Sequence, residues 1–126
     1  MIKYQYDKED NILTVEFKGE ISVQNMIDHI LRLRENKELP QRLKILSVTT
    51  DAKWSEKVGR NELLSFLEEN KISLTQREFI YDAYVISGTF ETALGILYKE
   101  LNKVENHKFE VFSTKSAAIN WLKKFK

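Results

Sequence analysis

The sequence contains no cysteine, a single proline and only four glycines among its 126 residues. The absence of cysteine excludes disulfides, thiol catalysis, iron–sulfur clusters and the usual structural zinc sites, and it favours a reducing cytoplasm as the location. Because proline and glycine are so scarce, no segment has the composition of a flexible linker between domains. A chain of this length fits one domain, which we expect to span residues 1–126.

The sequence also lacks an excess of charge of either sign and any long apolar run. Twenty Lys and Arg residues are balanced by nineteen Asp and Glu residues, which gives a net charge of +1 at pH 7. A balance this close generates no broad field that would attract nucleic acid or an anionic membrane. No apolar stretch approaches the length of a transmembrane helix, and the first residues lack a run of signal-peptide length. We therefore expect no nucleic-acid partner, no membrane insertion and no secretion.

What the sequence does contain is a hydrophobic share of 42%, arranged with regular periods. Apolar and polar residues alternate over residues 2–6 and again from Leu13 to Phe17, and the polar residues 7–11 between them favour a turn. This pattern predicts a β-hairpin that ends at Gly19.

Segments with strand and helix periods alternate after the hairpin. First come a helix that is capped by Ser22 and ends before Pro40, a strand at residues 43–49 and a loop around Trp54. A helix capped by Asn61, a strand at residues 79–86 and a turn at residues 87–89 follow. The last elements are a helix with Phe90, Ala93, Leu94 and Leu97 on its inner stripe, a strand at residues 109–112 and a helix after Ser113 and Thr114. The order ββαβαβαβα predicts an α/β fold whose mixed sheet has an N-terminal antiparallel hairpin, parallel later strands and a cover of helices.

Four segments resemble one known family. Residues 19–22 (Gly-Glu-Ile-Ser) resemble its Gly-x-Ile-Thr entry to the first helix, and residues 46–51 resemble its third strand running into a polar loop. Residues 109–114, followed by residues 118–122 (Ala-Ile-Asn-Trp-Leu), resemble its closing strand and Ala-x-x-Trp-Leu helix. In these segments the chain resembles the STAS family, specifically the small bacterial SpoIIAA-like proteins. The resemblance implies the STAS fold and a non-enzymatic regulatory or protein-binding role in signalling, with no cofactor.

In the signalling members of that family, a serine in an Asp-Ser-Ser/Thr-Gly motif at the start of the second helix is phosphorylated by a partner kinase. This chain has Ser55 as its single serine between Asp51 and Asn61, and Ser55 is followed by glutamate. The resemblance therefore does not extend to the phosphorylation switch.

Polar side chains follow the third, fourth and fifth predicted strands. Because the carboxyl ends of parallel strands meet at one edge of a sheet, beside the first N–H groups of the helices, we expect these side chains on a common rim. The same hydroxyls are the preferred helix caps, so capping and ligand binding are both open interpretations. The candidate binding residues are Thr49, Thr50, Asp51, Trp54, Ser55, Ser87 and Thr89.

Two functions fit this rim. In the first, a protein partner docks on residues 50–60, with Trp54 as the apolar anchor. In the second, the protein is a carrier or sensor for a small ligand, nucleotide or lipid-like, bound at the strand ends, with Trp54 folded back as a lid and Asp51, Ser87 and Thr89 fixing the polar part. A closed apolar pocket under Trp54 would favour the second function. An enzyme is the third interpretation. A phospho-accepting site on Asp51 with Lys108 or Lys115 would need a metal, and the further acids that would hold this metal are lacking.

Five other residues carry expectations. His29 lies on the flank of the first helix and His107 in a polar turn, so both are expected at the surface, with no second metal ligand at motif spacing. Asp82 interrupts an apolar strand and needs a partner if it is buried. Ile96 and Tyr98 flank the apolar stripe of the third helix, so they widen either its seat on the sheet or a homodimer interface.

Overall fold

A computed structural model describes residues 1–125 as a five-stranded sheet with four helices. The elements in chain order are β1 (Ile2–Asp7), β2 (Ile12–Ile21), α1 (Val23–Glu35), β3 (Arg42–Trp54), α2 (Arg60–Ser73), β4 (Phe79–Val85), α3 (Thr89–Leu101), β5 (His107–Phe112) and α4 (Lys115–Leu122). This order confirms the ββαβαβαβα prediction. None of the helices within residues 1–125 is both long enough and apolar enough to cross a bilayer.

The strands lie in the sheet in the order in which they occur in the chain. β1 pairs with β2 antiparallel, and every later pair is parallel, as the hairpin and the alternation predict. Because parallel crossovers are almost always right-handed, a sheet that grows in one direction receives all its crossover helices on one face. Helices α1, α2 and α3 cover that face, whereas α4, which follows the last strand, packs on the other.

Each face has its own apolar cluster. On the face covered by three helices, inward side chains of the strands, such as Val15 and Leu43, pack against Met26 of α1, Phe66 of α2 and Tyr98 of α3. On the opposite face, a smaller cluster of strand residues packs against α4, with Ala118 and Leu122 completely buried. β3 and β4 contribute to both clusters, which agrees with their near-continuous apolar sequences.

Several element boundaries differ from the predictions. Gly19 does not end the hairpin: its backbone has φ +76° and β2 continues through it to Ile21. Likewise β3 continues to Trp54, so the expected loop around this residue is the end of a strand. The reason is that residues 18–21 pair with residues 51–54 and extend the β2–β3 ladder beyond its apolar part. Gly59, rather than Asn61, is the N-cap of α2. Ser22 caps α1 and Thr114 caps α4, as predicted.

Arg77, buried just before β4, ties the end of α1 to the following loop. Its guanidinium donates hydrogen bonds of 2.6 to 3.2 Å to the carbonyl oxygens of Leu33, Asn36, Leu39 and Pro40. The carbonyl oxygens of Leu33 and Asn36 also accept backbone N–H groups at 3.4 Å, those of Leu39 and Pro40 lie in the loop beyond the helix, and the cation complements the negative end of the helix dipole. Arg77 therefore fixes α1 at the amino-terminal ends of the parallel strands.

Candidate ligand-binding cavity

A cavity of about 130 Å³ lies between the sheet and helices α1, α2 and α3. It extends from Arg34 and Arg77, near the amino-terminal ends of the parallel strands, to Lys53 and Trp54 at their carboxyl ends. Its walls are mostly apolar and are rich in aromatic rings. Apolar cavities of about 150 Å³ in engineered proteins stay dry and bind benzene, so this volume suits a small ring or a short chain.

Trp54 covers the carboxyl-terminal end of the cavity. Its ring stacks on Phe66 of α2, with 5.8 Å between the ring centroids and an interplanar angle of 11°. The side chain is half-buried, and the backbone beside it is held because the N–H of Ser55 donates to the carbonyl oxygen of Ile21 at 2.9 Å. Of the two arrangements left open for Trp54, the structure therefore has the one in which the ring folds back, here over one end of a cavity that is partly open.

Asp82 is the acidic residue in the middle of the cavity wall. It lies on β4 facing the helices, in register with Ile45 of β3 and Phe109 of β5. Ser47, which is completely buried, donates a hydrogen bond of 3.0 Å from its Oγ to Oδ1 of Asp82. Burial raises the pKa of Asp82 to about 7, and the hydrogen bond from Ser47 opposes that rise. The predicted need for a partner is thus met by a hydroxyl on the neighbouring strand.

Two tyrosines, Tyr84 and Tyr98, line the cavity and feel the charge of this carboxyl group. Burial raises the pKa of Tyr84 well above its ordinary value, and the negative charge of Asp82 adds to the rise. Burial also raises the pKa of Tyr98, whose oxygen accepts a hydrogen bond of 2.7 Å from Nδ2 of Asn70. Both rings therefore remain protonated at neutral pH, as neutral polar groups in an otherwise apolar wall.

His29 lies on the same wall, at the α1 side. Its Nδ1 is 2.8 Å from the hydroxyl of Tyr4. Burial lowers the pKa of His29 to about 4, and the positive charge of Arg32 contributes to the decrease, so the ring is neutral at pH 7. The predicted surface position of His29 is therefore wrong. The same prediction is wrong for His107, which is buried at the start of β5 and whose pKa burial also lowers to about 4.

The structure places the sequence-predicted site residues in two groups. Thr49 and Trp54 line the cavity, and Oγ1 of Thr49 donates a hydrogen bond of 3.0 Å to the carbonyl oxygen of Val85. The remaining residues are exposed on the rim at the carboxyl ends of β3 and β4: Thr50, Asp51, Ser55, Ser87 and Thr89. Two of these touch across the strands, since Oγ of Ser87 lies 3.5 Å from the carbonyl oxygen of Thr50. Lys108 lies elsewhere, 5.0 Å from the ring of Phe125 on the α4 face.

Helix α3 leaves some of its apolar side chains exposed to solvent. Phe90, in the first turn of α3, is 56% exposed and does not lie on the inner stripe that its spacing predicts. Ala93 is exposed as well, because Leu94, Gly95 and Tyr98 form the inward face of this helix. Tyr98 therefore belongs to the core, whereas Ile96 points outward.

Sequence reasoning misses the inner part of the site. Tyr84 and Asn70 belong to no motif, Ser47 enters only as part of the third-strand resemblance, and the sequence predicts a structural role for Asp82 rather than a place in the site. The available signal is that Ser47 and Asp82 are polar residues flanked on both sides by apolar residues within their strands. Their register, Ile45 opposite Asp82 and Ser47 opposite Tyr84, brings them together on one face.

Known structures resemble this fold, although no protein-family model and no curated protein matches the sequence. An uncharacterized protein of the DUF3478 family with a SpoIIAA-like fold, from Shewanella loihica PV-4, superposes with a TM-score of 0.62 at 14% sequence identity, covering 97% of this chain and 92% of that one. The anti-sigma factor antagonist SpoIIAA in its unphosphorylated form gives a TM-score of 0.55 at 8% identity, covering 99% of this chain and 100% of that one. Identities this low establish the architecture and no more. The chain therefore has the SpoIIAA-like fold of the STAS type, as its sequence motifs predict.

Proposed function

We propose that the protein is a carrier or sensor that binds a small, largely apolar ligand in the cavity beneath Trp54, without catalysing a reaction on it. The observation that carries this proposal is the cavity itself, which lies where a packed core would otherwise be. Close packing is the rule in protein interiors, and each unfilled volume forfeits contacts that would stabilise the fold. A cavity that a ligand fills regains those contacts on binding.

The position of Trp54 supports this function over docking through residues 50–60. An anchor for a protein partner needs an exposed ring, but this ring is stacked on Phe66. The cavity also contains polar groups that could orient a ligand, the carboxyl group of Asp82 among them, which is typical of small-molecule sites. The lack of cysteine in the sequence fits a reducing compartment, and we propose the cytoplasm as the site of action.

Tryptophan fluorescence can test the proposal, because the two tryptophans lie on opposite faces of the sheet. Trp121 packs between Phe112 and Phe125 on the α4 face, away from the cavity. A Trp121→Phe variant leaves Trp54 as its one tryptophan, and titration with ethylbenzene should then give a saturable change in emission. The matched Trp54→Phe variant, which reports from Trp121, should give none.

A cavity-filling substitution provides the second arm of the test. Ala52 lines the cavity near Trp54, so Ala52→Leu should occupy the space and abolish the saturable signal. Filling the cavity should also raise stability by about 0.5–2 kcal/mol. Ala93→Leu, at an exposed position on α3, is the control and should leave binding intact. A linear, unsaturable response that is the same in all four variants would overturn the proposal.

The exposed rim supports a second function, which is docking of a protein partner as in a regulatory module. Phe90 is 56% exposed in the first turn of α3, next to the hydroxyls of Ser87 and Thr89. Large apolar side chains ringed by polar groups are common anchors at interfaces. Proteins captured from a source-cell lysate by the wild type should be lost with Phe90→Asp and retained with Ile72→Asp, an exposed position on α2. Equal loss with both variants would argue against a specific rim surface.

A further inference from the structure

Asp82 presents to the cavity a carboxyl oxygen for which the residues 1–125 supply no hydrogen-bond donor. Among residues 1–125, its side chain has a single hydrogen bond, the one from Ser47 to Oδ1. The carboxyl group lines the cavity, and its residue keeps part of its surface accessible although it lies in the middle of the sheet. Buried polar atoms nearly always have a hydrogen-bond partner, so Oδ2 is an acceptor for which a ligand can supply the donor.

The cations that line the cavity are already engaged by the protein or lie at its edge. Arg34 forms an ion pair of 2.8 Å with Glu69 and also donates to Ser73. The guanidinium of Arg77 is directed at four backbone carbonyl oxygens. Lys53 is exposed at the rim. Above about pH 7, where Asp82 is ionised, the interior of the cavity therefore favours positive charge, because an anionic ligand would meet the carboxylate without a cation to offset it.

Aromatic rings form the wall around this acceptor. The ring of Tyr84 lies 4.9 Å from that of Phe109 and 6.3 Å from that of Phe17, measured between centroids. Tyr98 continues the row, 4.6 Å from Phe109. Aromatic faces attract cations as well as apolar groups, and the attraction is greater where water is excluded. The wall thus suits both parts of a molecule with an apolar body and a positive end.

Building on the proposed function, we propose that the ligand is a small primary amine whose apolar body is about the size of one aromatic ring, a size set by comparison with cavities that hold benzene. Its ammonium group donates to Oδ2 of Asp82 while its body packs among Phe17, Tyr84 and Phe109. A charge-assisted hydrogen bond of this kind is shorter and stronger than a neutral one, and an ammonium supplies the donors that the carboxylate lacks. A neutral alcohol would make the weaker bond, and a carboxylate ligand would be repelled.

Isothermal titration calorimetry with three probes that share a phenethyl group tests this assignment. The probes are phenethylamine, 2-phenylethanol and 3-phenylpropionate, and the proteins are the wild type, Asp82→Asn and Asp28→Asn. The wild type should bind the amine about 10-fold to 100-fold more tightly than the alcohol, which corresponds to one charged hydrogen bond, and the acid least tightly. Asp82→Asn should lose this preference and keep its affinity for the alcohol. Asp28→Asn removes the same charge at an exposed site on α1 and should behave as the wild type.

The outcomes separate this inference from the proposed function. Equal wild-type affinity for amine and alcohol, or tighter binding of the acid, overturns the amine assignment and leaves the binding cavity standing. An amine preference that survives in Asp82→Asn overturns the role of Asp82. Should Asp82→Asn fail to fold, the wild-type ranking of the three probes decides between amine and neutral ligand by itself. Failure of every probe to bind overturns the proposed function and this inference together.

Discussion

Replacing Asp82 by asparagine should stabilise the protein at alkaline pH and have little effect at acid pH. Burial raises the pKa of Asp82 from 3.8 to about 7, so the folded protein retains a proton that the unfolded chain releases between these values. The stability that depends on this proton is fully present below the unfolded pKa and is lost as the pH rises through the folded pKa. A difference of about three pKa units corresponds to about 4 kcal/mol above pH 7. Asparagine has the same shape and can still accept the hydrogen bond from Ser47, but it cannot ionise.

Urea unfolding of wild type and Asp82→Asn at several pH values measures this effect. The stability advantage of the variant should widen by about 2–3 kcal/mol between about pH 5 and pH 8, calculated from the two pKa values. Buried histidines titrate in both proteins, so their contribution cancels in the difference. An advantage that stays constant with pH would refute the reasoning, because it would mean that the carboxyl group of Asp82 is as easily ionised in the folded state as in water.

Three further predictions concern residues outside the cavity's centre. Arg77→Met should lower the free energy of unfolding in urea by about 3–5 kcal/mol, because four carbonyl oxygens lose the hydrogen bonds from the buried guanidinium, whereas Arg60→Met, at an exposed position, should cost little. The wild type should lose about 3 kcal/mol of unfolding free energy between about pH 7 and pH 4, because the pKa of the His107 imidazole is 6.5 in the unfolded chain and about 4 when it is buried. His107→Phe should remove this loss. An unfolding free energy that falls with pH equally in both proteins would contradict the prediction. Gly88→Ala should cost about 1–3 kcal/mol because φ is +91° there, and a thermal melt should show a smaller loss for Gly59→Ala, where the backbone is extended.

The element order could be predicted from sequence because its signals are local. The alternation from Leu13 to Phe17, the caps at Ser22 and Thr114 and the apolar run of β4 each depend on neighbouring residues alone, and the structure confirms all of them. The length of β3 could not be predicted in this way. Its last residues are polar, and only pairing with residues 18–21 of β2 makes them a strand.

The histidines show a different limit. The sequence favours a surface position for His29, although this residue lies three positions after Met26 and one before Ile30, on the inward face of α1. Plotting α1 on a helical wheel would therefore have placed His29 beside the buried Met26 and Ile30. The cavity has no such signal, because its volume depends on how closely three helices approach one sheet. Sequence can predict two polar residues in apolar strands, but not that the space in front of Asp82 remains open.

The position of α4, which covers one face of the sheet without another helix, has a consequence for the stability of the fold. Tyr81 stacks between Phe79 and Phe125 there, at 4.3 Å on either side, and within residues 1–125 this aromatic stack belongs to a cluster separate from the hollow layer above. Because β3 and β4 contribute to both clusters, substitutions in the two layers should have additive effects on stability only where they share no contacting residue. The α4 layer packs its aromatic rings against the sheet, while the layer of three helices leaves room for a ligand on the opposite face.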